Sequence, residues 1–299
     1  MKPLALAGTF TALVTPFTAD GESVDGAALD RLVDAQLEGG VAGLVPCGTT
    51  GESPTLSDAE QVDVIARVVA RAKGRVPVLA GTGTFSTKKT VAASKAAVAA
   101  GADAVMVVMP YYNKPSQDGM RAHVLEVAAA VDVPIVLYNI PGRCVVDLAA
   151  ETTEQICKEA KNVVGMKEAT GNVLRCQELV RRLGDRLMVL SGDDGLTLPM
   201  MAVGARGVIS VTSNVLPKET SAVTTAWLAG KVDEARRAHF ALLEMHALLF
   251  VEPNPSPAKA LLAMMGQMNA SVRGPLLPAT DALRQKLEAA LARVRTTAA

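Results

Sequence analysis

Lys167 is the residue of this chain whose type and position most directly suggest covalent chemistry. It follows the apolar run Val163–Met166, so its side chain is expected to face an apolar interior. Burial disfavours the ammonium form and lowers the pKa of a lysine from its usual value of about 10.4. A neutral amine in such a place can attack a ketone and form a Schiff base. The position of Lys167 is also typical of a structural lysine, one that extends its ammonium to water at a strand end or pairs with Glu168. Position alone leaves both the catalytic and the structural interpretation open.

The tyrosines favour the catalytic interpretation. All three of them, Tyr111, Tyr112 and Tyr138, fall within one short stretch of the chain. A phenol beside a carbinolamine can move protons between the amine, the hydroxyl and the leaving water. Tyr138 lies one strand and helix unit before Lys167, so the two side chains are expected to meet. Each tyrosine taken alone is equally typical of a packing residue with a satisfied hydroxyl.

Two further segments can bind carboxylates. Thr49 and Thr50 stand between Gly48 and Gly51, and the backbone N–H groups of such a turn can hold an anion. Thr49 can also relay a proton between two phenols. Arg143, just beyond Tyr138, offers a bidentate guanidinium for a second carboxylate. The expected substrates are therefore small anions.

Eight short apolar runs must position these residues. They are continuously apolar rather than alternating, which is typical of parallel strands covered on both faces. The runs are Thr9–Phe17, Ala42–Gly48, Val76–Gly83, Ala102–Pro110, Pro134–Pro141, Val163–Ala169, Leu187–Asp194 and Arg206–Asn214. Helical patterns separate them, and one begins with Ser57 as the N-cap and Glu60 at the reciprocal capping position.

The alternation predicts the α/β class and a (β/α)8 TIM barrel with a C-terminal helical extension. We expect residues 1–224 to form the catalytic barrel and residues 225–299 the helical region. A dinucleotide-binding fold is disfavoured because no GxGxxG motif follows the first strand. The active site of a barrel lies at the carboxyl ends of its strands. Lys167, Tyr138 and Thr49 all fall at that end of the predicted strands.

Composition narrows the functional class. The chain of 299 residues has 30 basic and 30 acidic side chains, which disfavours a basic nucleic-acid-binding protein. No stretch approaches the roughly 18 apolar residues of a membrane span, and the N-terminal LALA run is too short for a secretory signal. The four cysteines form no CxxC pair and the three histidines have no metal-ligand spacing. We therefore expect a cytoplasmic protein without a metal site.

Several of these segments occur together in one known family. The chain resembles the dihydrodipicolinate synthase family, within the N-acetylneuraminate lyase superfamily of class I aldolase-like barrels. The ordered motifs that carry the resemblance are TALVTPF, GTTGES, AGTG, PYYNKPSQ, YNIPGR, GMKEATGN, SGDD, GVISVTSN and FVEPNPSPAK. They extend over essentially the whole chain.

The resemblance implies a lyase that condenses pyruvate with L-aspartate 4-semialdehyde to give 4-hydroxy-tetrahydrodipicolinate, on the route to diaminopimelate and lysine. It implies no cofactor, because the imine itself is the electron sink. It also implies a homotetramer built as a dimer of tight dimers. The implied catalytic residues are Lys167 for the Schiff base and Tyr138, Thr49 and Tyr112 for the proton relay. Tyr112 would act in the relay of the neighbouring subunit.

The resemblance also implies a substrate-binding set. Thr50 would hold the pyruvate carboxylate through its backbone and hydroxyl, and Arg143 would bind the carboxylate of the aldehyde. Gly192 and Ile209 would line the pocket through their backbone groups. One departure from lysine-inhibited relatives is visible, because Phe85 and Lys89 stand where those relatives use an Asn and a Glu to hold the lysine amine. Feedback inhibition by lysine is therefore expected to be weak or absent.

Two other functions are compatible with a barrel of this kind. A pyruvate-dependent sugar-acid aldolase would share Lys167 and Tyr138, but such enzymes generally lack the arginine at position 143. A catalytically silent barrel that binds a metabolite and regulates a partner would be expected to have lost the lysine, a relay tyrosine or the arginine. All of these residues are present. The sequence therefore favours the synthase.

Overall fold

Eight parallel strands form the centre of the structure, a computed structural model that describes residues 4–297. The strands are β1 (Gly8–Ala12), β2 (Gly43–Val45), β3 (Leu79–Gly81), β4 (Ala104–Val108), β5 (Ile135–Asn139), β6 (Val163–Glu168), β7 (Met188–Ser191) and β8 (Gly207–Ser210). Their order in the sheet is β2-β1-β8-β7-β6-β5-β4-β3. The barrel closes between β2 and β3, where Leu44 bridges Val78 and the N–H of Gly81 donates to the carbonyl of Pro46 at 2.9 Å.

Helices follow the strands in the alternation that the sequence predicts. They are α1 (Gly26–Glu38), α2 (Asp58–Ala72), α3 (Thr87–Ala99), α4 (Gln117–Ala130), α5 (Pro141–Cys144), α6 (Ala150–Glu159), α7 (Val173–Leu183), α8 (Thr197–Ala202), α9 (Pro217–Leu228), α10 (Val232–Leu248), α11 (Ser256–Met264) and α12 (Asp281–Thr297). No helix in the described part of the chain is long and apolar enough to cross a membrane.

The predicted (β/α)8 barrel is confirmed. Seven of the eight predicted runs contain one strand each, and β1 begins one residue before the first run. The strands are shorter than the runs, because the last residues of several runs leave the sheet and form the loops at its carboxyl end. The predicted start of α2 is also confirmed. Ser57 accepts from the N–H of Glu60 at 3.2 Å, and Glu60 accepts from the N–H of Ser57 at 2.9 Å.

Aliphatic side chains fill most of the barrel interior. The buried residues that pack there are Leu6, Phe10, Ala12, Val45, Leu79, Ala104, Met106, Val136, Tyr138, Leu190 and Ile209. Phe10 requires a glycine opposite it, since a Cβ at Gly43 would lie 2.2 Å from the phenyl ring. Each fully buried aliphatic side chain stabilises the fold by about 1.5–3 kcal/mol. The barrel interior is thus a packed and largely apolar core.

The C-terminal helices pack on the barrel. α10 lies against α9 and α12, and α11 lies against α12. The helix α9 extends across the predicted division between residues 224 and 225, so the two-part division of the chain stays a prediction. At the carboxyl end of the barrel, the loop after β2 is contacted by the segment between α10 and α11, through Asn254, and by α11 itself, through Lys259.

Candidate active site

Lys167 and Tyr138 are direct neighbours across two strands. They are register partners in the β5–β6 pair, and the Lys167 Nζ lies 4.2 Å from the centroid of the Tyr138 ring. The two side chains are only 5% and 4% exposed. Side chains at paired positions of adjacent strands point to the same face of the sheet. The strand register therefore brings the amine and the phenol together inside the barrel, as the sequence predicts.

Burial sets the protonation of Lys167. It lowers the pKa of the ammonium to about 8, with a smaller contribution from the nearby Arg143 charge, while Asp194 opposes the shift. Within the described chain, no carboxylate lies at ion-pair distance from the Lys167 Nζ. The pairing with Glu168 that the sequence left open does not form. The Glu168 carboxylate instead accepts from the N–H of Thr170 at 2.7 Å, because consecutive residues of a strand face opposite sides.

Tyr138 remains a neutral phenol at physiological pH. Burial raises its pKa to about 12, although the nearby Thr49 side chain and the charge of Arg143 act in the opposite direction. A neutral phenol can both donate and accept a proton. Thr49 and Tyr138 line the same cleft, so the Thr49 hydroxyl is near enough to exchange protons with the phenol.

The loop after β2 presents backbone donors to the cleft. The N–H groups of Thr49 and Thr50 have no hydrogen-bond acceptor in the described chain. Thr15 helps to hold the loop in place, because its Oγ1 donates to the carbonyl of Gly51 at 2.7 Å. Adjacent unpaired N–H groups form a concave site of positive potential that is suited to an anion. These two N–H groups can therefore bind a carboxylate.

Arg143 stands on α5, directly beyond the end of β5, and its side chain is exposed. Its guanidinium makes no ion pair with the described residues, so its donors are available to an incoming carboxylate. A cleft of about 210 Å³ opens at this end of the barrel, and its lining includes Thr49, Tyr138, Arg143, Cys47 and Met106. This volume suits small substrates such as keto acids.

Gly192 directly follows β7, and Ile209 lies within β8. Ile209 is buried in the barrel interior. The N–H of Gly192 donates to the carbonyl of Glu168 at 2.7 Å. A Cβ at position 192 would lie 2.5 Å from the Cβ of Ala169. Only glycine therefore permits the chain to approach this closely to the residues that follow β6.

Tyr112 is the predicted site residue that the fold does not bring to the others. Its side chain is 91% exposed and its φ is +68°, which is the left-handed region that few non-glycine residues adopt. The neighbouring Tyr111 ring packs edge to face on Phe85, with centroids 5.5 Å apart. Within one chain, the fold therefore brings Thr49 near Tyr138, whereas Tyr112 projects outward.

Two residues of the C-terminal region reach the site and were not singled out from the sequence. The Asn254 side-chain amide donates to Thr50 Oγ1 at 2.9 Å, and Lys259 Nζ contacts Glu52 Oε1 at 2.5 Å. All four residues are buried. The available sequence signal was the motif FVEPNPSPAK, which places polar residues between prolines. In the described chain, no three His, Cys, Asp or Glu side chains gather as a metal site.

The chain was compared with known proteins. Residues 5–294 match the model of the dihydrodipicolinate synthetase family. The 4-hydroxy-tetrahydrodipicolinate synthase of Sorangium cellulosum (strain So ce56) is 71% identical over 294 residues, which is 98% of each protein. The structure of the 4-hydroxy-tetrahydrodipicolinate synthase from the thermoacidophilic methanotroph Methylacidiphilum fumariolicum SolV superposes with a TM-score of 0.95 at 43% identity, over 97% of this chain and 96% of that chain.

A further solved structure is similar and carries a ligand. It is the chloride-inhibited dihydrodipicolinate synthase of Acinetobacter baumannii complexed with pyruvate. It superposes with a TM-score of 0.95 at 40% sequence identity, and the match covers 97% of this chain and 99% of that chain. The likeness therefore extends over the whole barrel and the C-terminal helices.

Proposed function

The chain belongs to the dihydrodipicolinate synthetase family, and from this membership we propose how its own residues perform the family's reaction. The protein is a lyase that condenses pyruvate with L-aspartate 4-semialdehyde to give 4-hydroxy-tetrahydrodipicolinate, in the biosynthesis of diaminopimelate and lysine. It works through a Schiff base. The observation that carries the assignment of residues is the Lys167 amine, buried in an apolar barrel beside the ring of Tyr138.

Lys167 forms the covalent intermediate. Its neutral Nζ attacks C2 of pyruvate and forms a C–N bond, and the ketone oxygen takes up a proton to give a carbinolamine. That hydroxyl takes up a second proton and leaves as water, which produces the imine. The imine then makes the C3 protons of the pyruvate unit more acidic. When one of them is lost, the C–H electrons form the C=C bond of an enamine and the imine π electrons move to nitrogen.

The enamine reacts with the second substrate. Its C3 attacks the aldehyde carbon of L-aspartate 4-semialdehyde, a C–C bond forms, and the aldehyde oxygen becomes the hydroxyl of the product. The amine of that substrate then adds to C2 and displaces the Lys167 Nζ, which closes the ring and regenerates the free lysine. Both carboxylates of the product come from the substrates.

Tyr138, Thr49 and Tyr112 carry the protons of these steps. The Tyr138 phenol lies beside the amine and is supported in this role by its pKa of about 12, which keeps it protonated and able to donate. Thr49 passes protons between the two phenols, since a hydroxyl donates and accepts at once. Tyr112 completes the relay of a neighbouring subunit, a role supported by its exposure in the single chain.

The remaining site residues bind and orient the two substrates. The backbone N–H groups and the hydroxyl of Thr50 hold the pyruvate carboxylate, and Arg143 holds the carboxylate of the aldehyde substrate. Two separate anion sites set the distance between the enamine carbon and the aldehyde carbon. The backbone groups of Gly192 and Ile209 complete the wall of the pocket.

The assembly is a homotetramer of tight dimers, in which the active unit is the dimer because Tyr112 crosses the interface. Sedimentation velocity together with activity at decreasing protein concentration tests this arrangement. We place the protein in the cytoplasm, a location supported by its four free cysteines.

One experiment separates this function from a sugar-acid aldolase on the same scaffold. The purified protein is assayed with pyruvate plus L-aspartate 4-semialdehyde, and in parallel with N-acetylneuraminate and with 2-keto-3-deoxygluconate. Borohydride reduction in the presence of pyruvate, followed by peptide mass spectrometry, locates the imine. Turnover of the semialdehyde and an adduct on Lys167 are expected. An adduct on another lysine, or its absence, would overturn the assigned mechanism.

A further inference from the structure

The hydrogen bond between Asn254 and Thr50 joins the C-terminal region to the proposed pyruvate site. The Asn254 Nδ2 donates to Thr50 Oγ1 at 2.9 Å across 204 residues of sequence. Asn254 is 6% exposed and Thr50 is 3% exposed. A hydrogen bond that is shielded from water in this way holds its geometry more firmly than an exposed one.

The direction of this hydrogen bond determines where the proton of Thr50 can point. A threonine hydroxyl has one donor proton and two acceptor lone pairs. The Asn254 amide occupies one lone pair. Within the described chain, Thr50 Oγ1 donates to no acceptor. The O–H therefore points away from Asn254 and is free to donate to a ligand. The backbone N–H groups of Thr49 and Thr50 beside it are also unpaired within the described chain, and Thr49 lines the cleft.

A second contact holds the same loop to the same region. Glu52 follows Thr50 closely and adopts a left-handed conformation with φ +55°. Its Oε1 contacts Lys259 Nζ at 2.5 Å, and its Oε2 accepts from the N–H of Arg273 at 2.9 Å. Because the loop is fixed at Glu52, Asn254 acts on a backbone that is already positioned, and its own contribution is to the side chain of Thr50.

We propose that Asn254 is a positioning residue for pyruvate, which orients the Thr50 hydroxyl so that its proton is donated to the substrate carboxylate. The inference rests on the proposed role of Thr50. A hydrogen bond to a charged acceptor is about twice as strong as one between neutral groups. Loss of the orientation is therefore expected to weaken pyruvate binding while the chemical steps at Lys167 proceed.

The test compares Asn254→Leu, Thr50→Val and the double variant. Leucine has a similar volume and cannot donate. Asn254→Leu and Thr50→Val are each expected to raise the KM for pyruvate about tenfold, with kcat changed far less. The double variant should be no worse than Thr50→Val alone, since Asn254 acts only through that hydroxyl. An unchanged KM in Asn254→Leu, or full additivity in the double variant, would overturn the inference.

Asn254→Asp serves if the leucine variant does not fold. It is nearly isosteric but accepts only, so it takes the Thr50 proton away from the cleft, and it is expected to raise the KM for pyruvate at least as much as Asn254→Leu. An unchanged KM in the aspartate variant would overturn the inference independently.

Asn162→Leu is the matched control. Asn162 precedes β6 at the opposite end of the barrel, and its Nδ2 donates to the carbonyls of Ala128 and Val131 at 2.9 and 3.0 Å. The control should lower the thermal midpoint and leave the KM for pyruvate unchanged. If Thr50→Val leaves the KM unchanged, the proposed role of Thr50 fails. If it raises the KM and Asn254→Leu does not, only the present inference fails.

Discussion

Lys259 and Glu52 form a fully buried ion pair between the C-terminal region and the loop that follows β2. Their side chains are 0% and 1% exposed, and the Lys259 Nζ lies 2.5 Å from the Glu52 Oε1. Burial lowers the pKa of Lys259 to about 8, while the adjacent carboxylate opposes the shift. The ammonium also lies 4.0 Å from the centroid of the Phe17 ring. The pair thus links the packing of the C-terminal helices to the position of the loop after β2.

Lys259→Met is expected to destabilise the protein by about 3–5 kcal/mol, because it leaves the Glu52 charge buried without its partner. Urea denaturation measures the change. Adding Glu52→Gln to Lys259→Met removes that charge and should recover much of the loss. The control is Lys231→Met, which breaks an exposed pair with Glu234 and should cost about 1 kcal/mol or less. Equal effects of the two lysine variants would contradict the assigned importance of burial.

The rate of imine formation should follow the ionisation of Lys167. Its pKa of about 8 means that the neutral amine increases about tenfold per pH unit below that value and levels off above it. At subsaturating pyruvate, borohydride trapping in single turnovers should show this rise and plateau. The phenol of Tyr138, with a pKa of about 12, adds no step in the range. A rate that is flat between pH 6 and 8 would contradict the prediction.

Lys167→Met is expected to abolish turnover and to stabilise the fold. The pKa of Lys167 is lower in the folded protein, at about 8, than its ordinary 10.5, so burying the ammonium opposes folding wherever both states are protonated. The difference corresponds to roughly 3 kcal/mol at pH 7. This penalty declines as the pH rises from about 8 to 10.5 and is absent above. Urea denaturation at pH 7 and pH 10 should show a gain that shrinks at the higher pH.

A gain in stability of the same size at pH 7 and pH 10 would show that packing, and not the buried charge, accounts for the effect of Lys167→Met. Lys167→Ala is the second variant, and it should retain the fold while turnover is nearly abolished. Circular dichroism measures the first property and a steady-state assay the second.

Arg143→Ala should separate the two halves of the reaction. Pyruvate trapping on Lys167 is expected to survive, whereas kcat/KM for the semialdehyde should fall about a hundredfold, because the second carboxylate loses a charged donor. Loss of the Arg143 charge also raises the pKa of Lys167 slightly, since that charge helps to lower it. Arg121→Ala, which breaks a surface pair with Glu159, is the control and should leave both measurements unchanged. Equal loss of both steps in Arg143→Ala would be inconsistent with its assigned role.

L-Lysine should inhibit this protein weakly or not at all. We expect Lys89, whose Nζ lies 5.9 Å from the centroid of the Phe85 ring, to place a like charge against the amine of a bound lysine. Initial rates at increasing lysine concentration test this. Phe85→Asn combined with Lys89→Glu is expected to introduce inhibition. Strong inhibition of the unmodified protein at low lysine concentration would refute the expectation.

The sequence by itself determined the architecture and the chemical class. The apolar runs and the capping pair of Ser57 and Glu60 act over short distances, and short-range patterns are readable from one chain. The neighbourhood of Tyr138 and Lys167 was also predictable, because consecutive strands of a barrel lie side by side. The identity of the reaction followed from the order of the motifs, which extend over essentially the whole chain.

Only the tertiary structure decided which side chains complete the loop after β2. Asn254 and Lys259 are about two hundred residues away from Thr50 and Glu52 in sequence, and no local spacing relates them. The tertiary structure also decided the partners of Lys167 and Glu168. Their adjacency in sequence suggested an ion pair, but consecutive residues of β6 face opposite sides, so the two side chains have different partners. Local patterns specify elements, whereas buried polar partners depend on how those elements pack, because burial in the assembled core is what requires each polar group to find a partner.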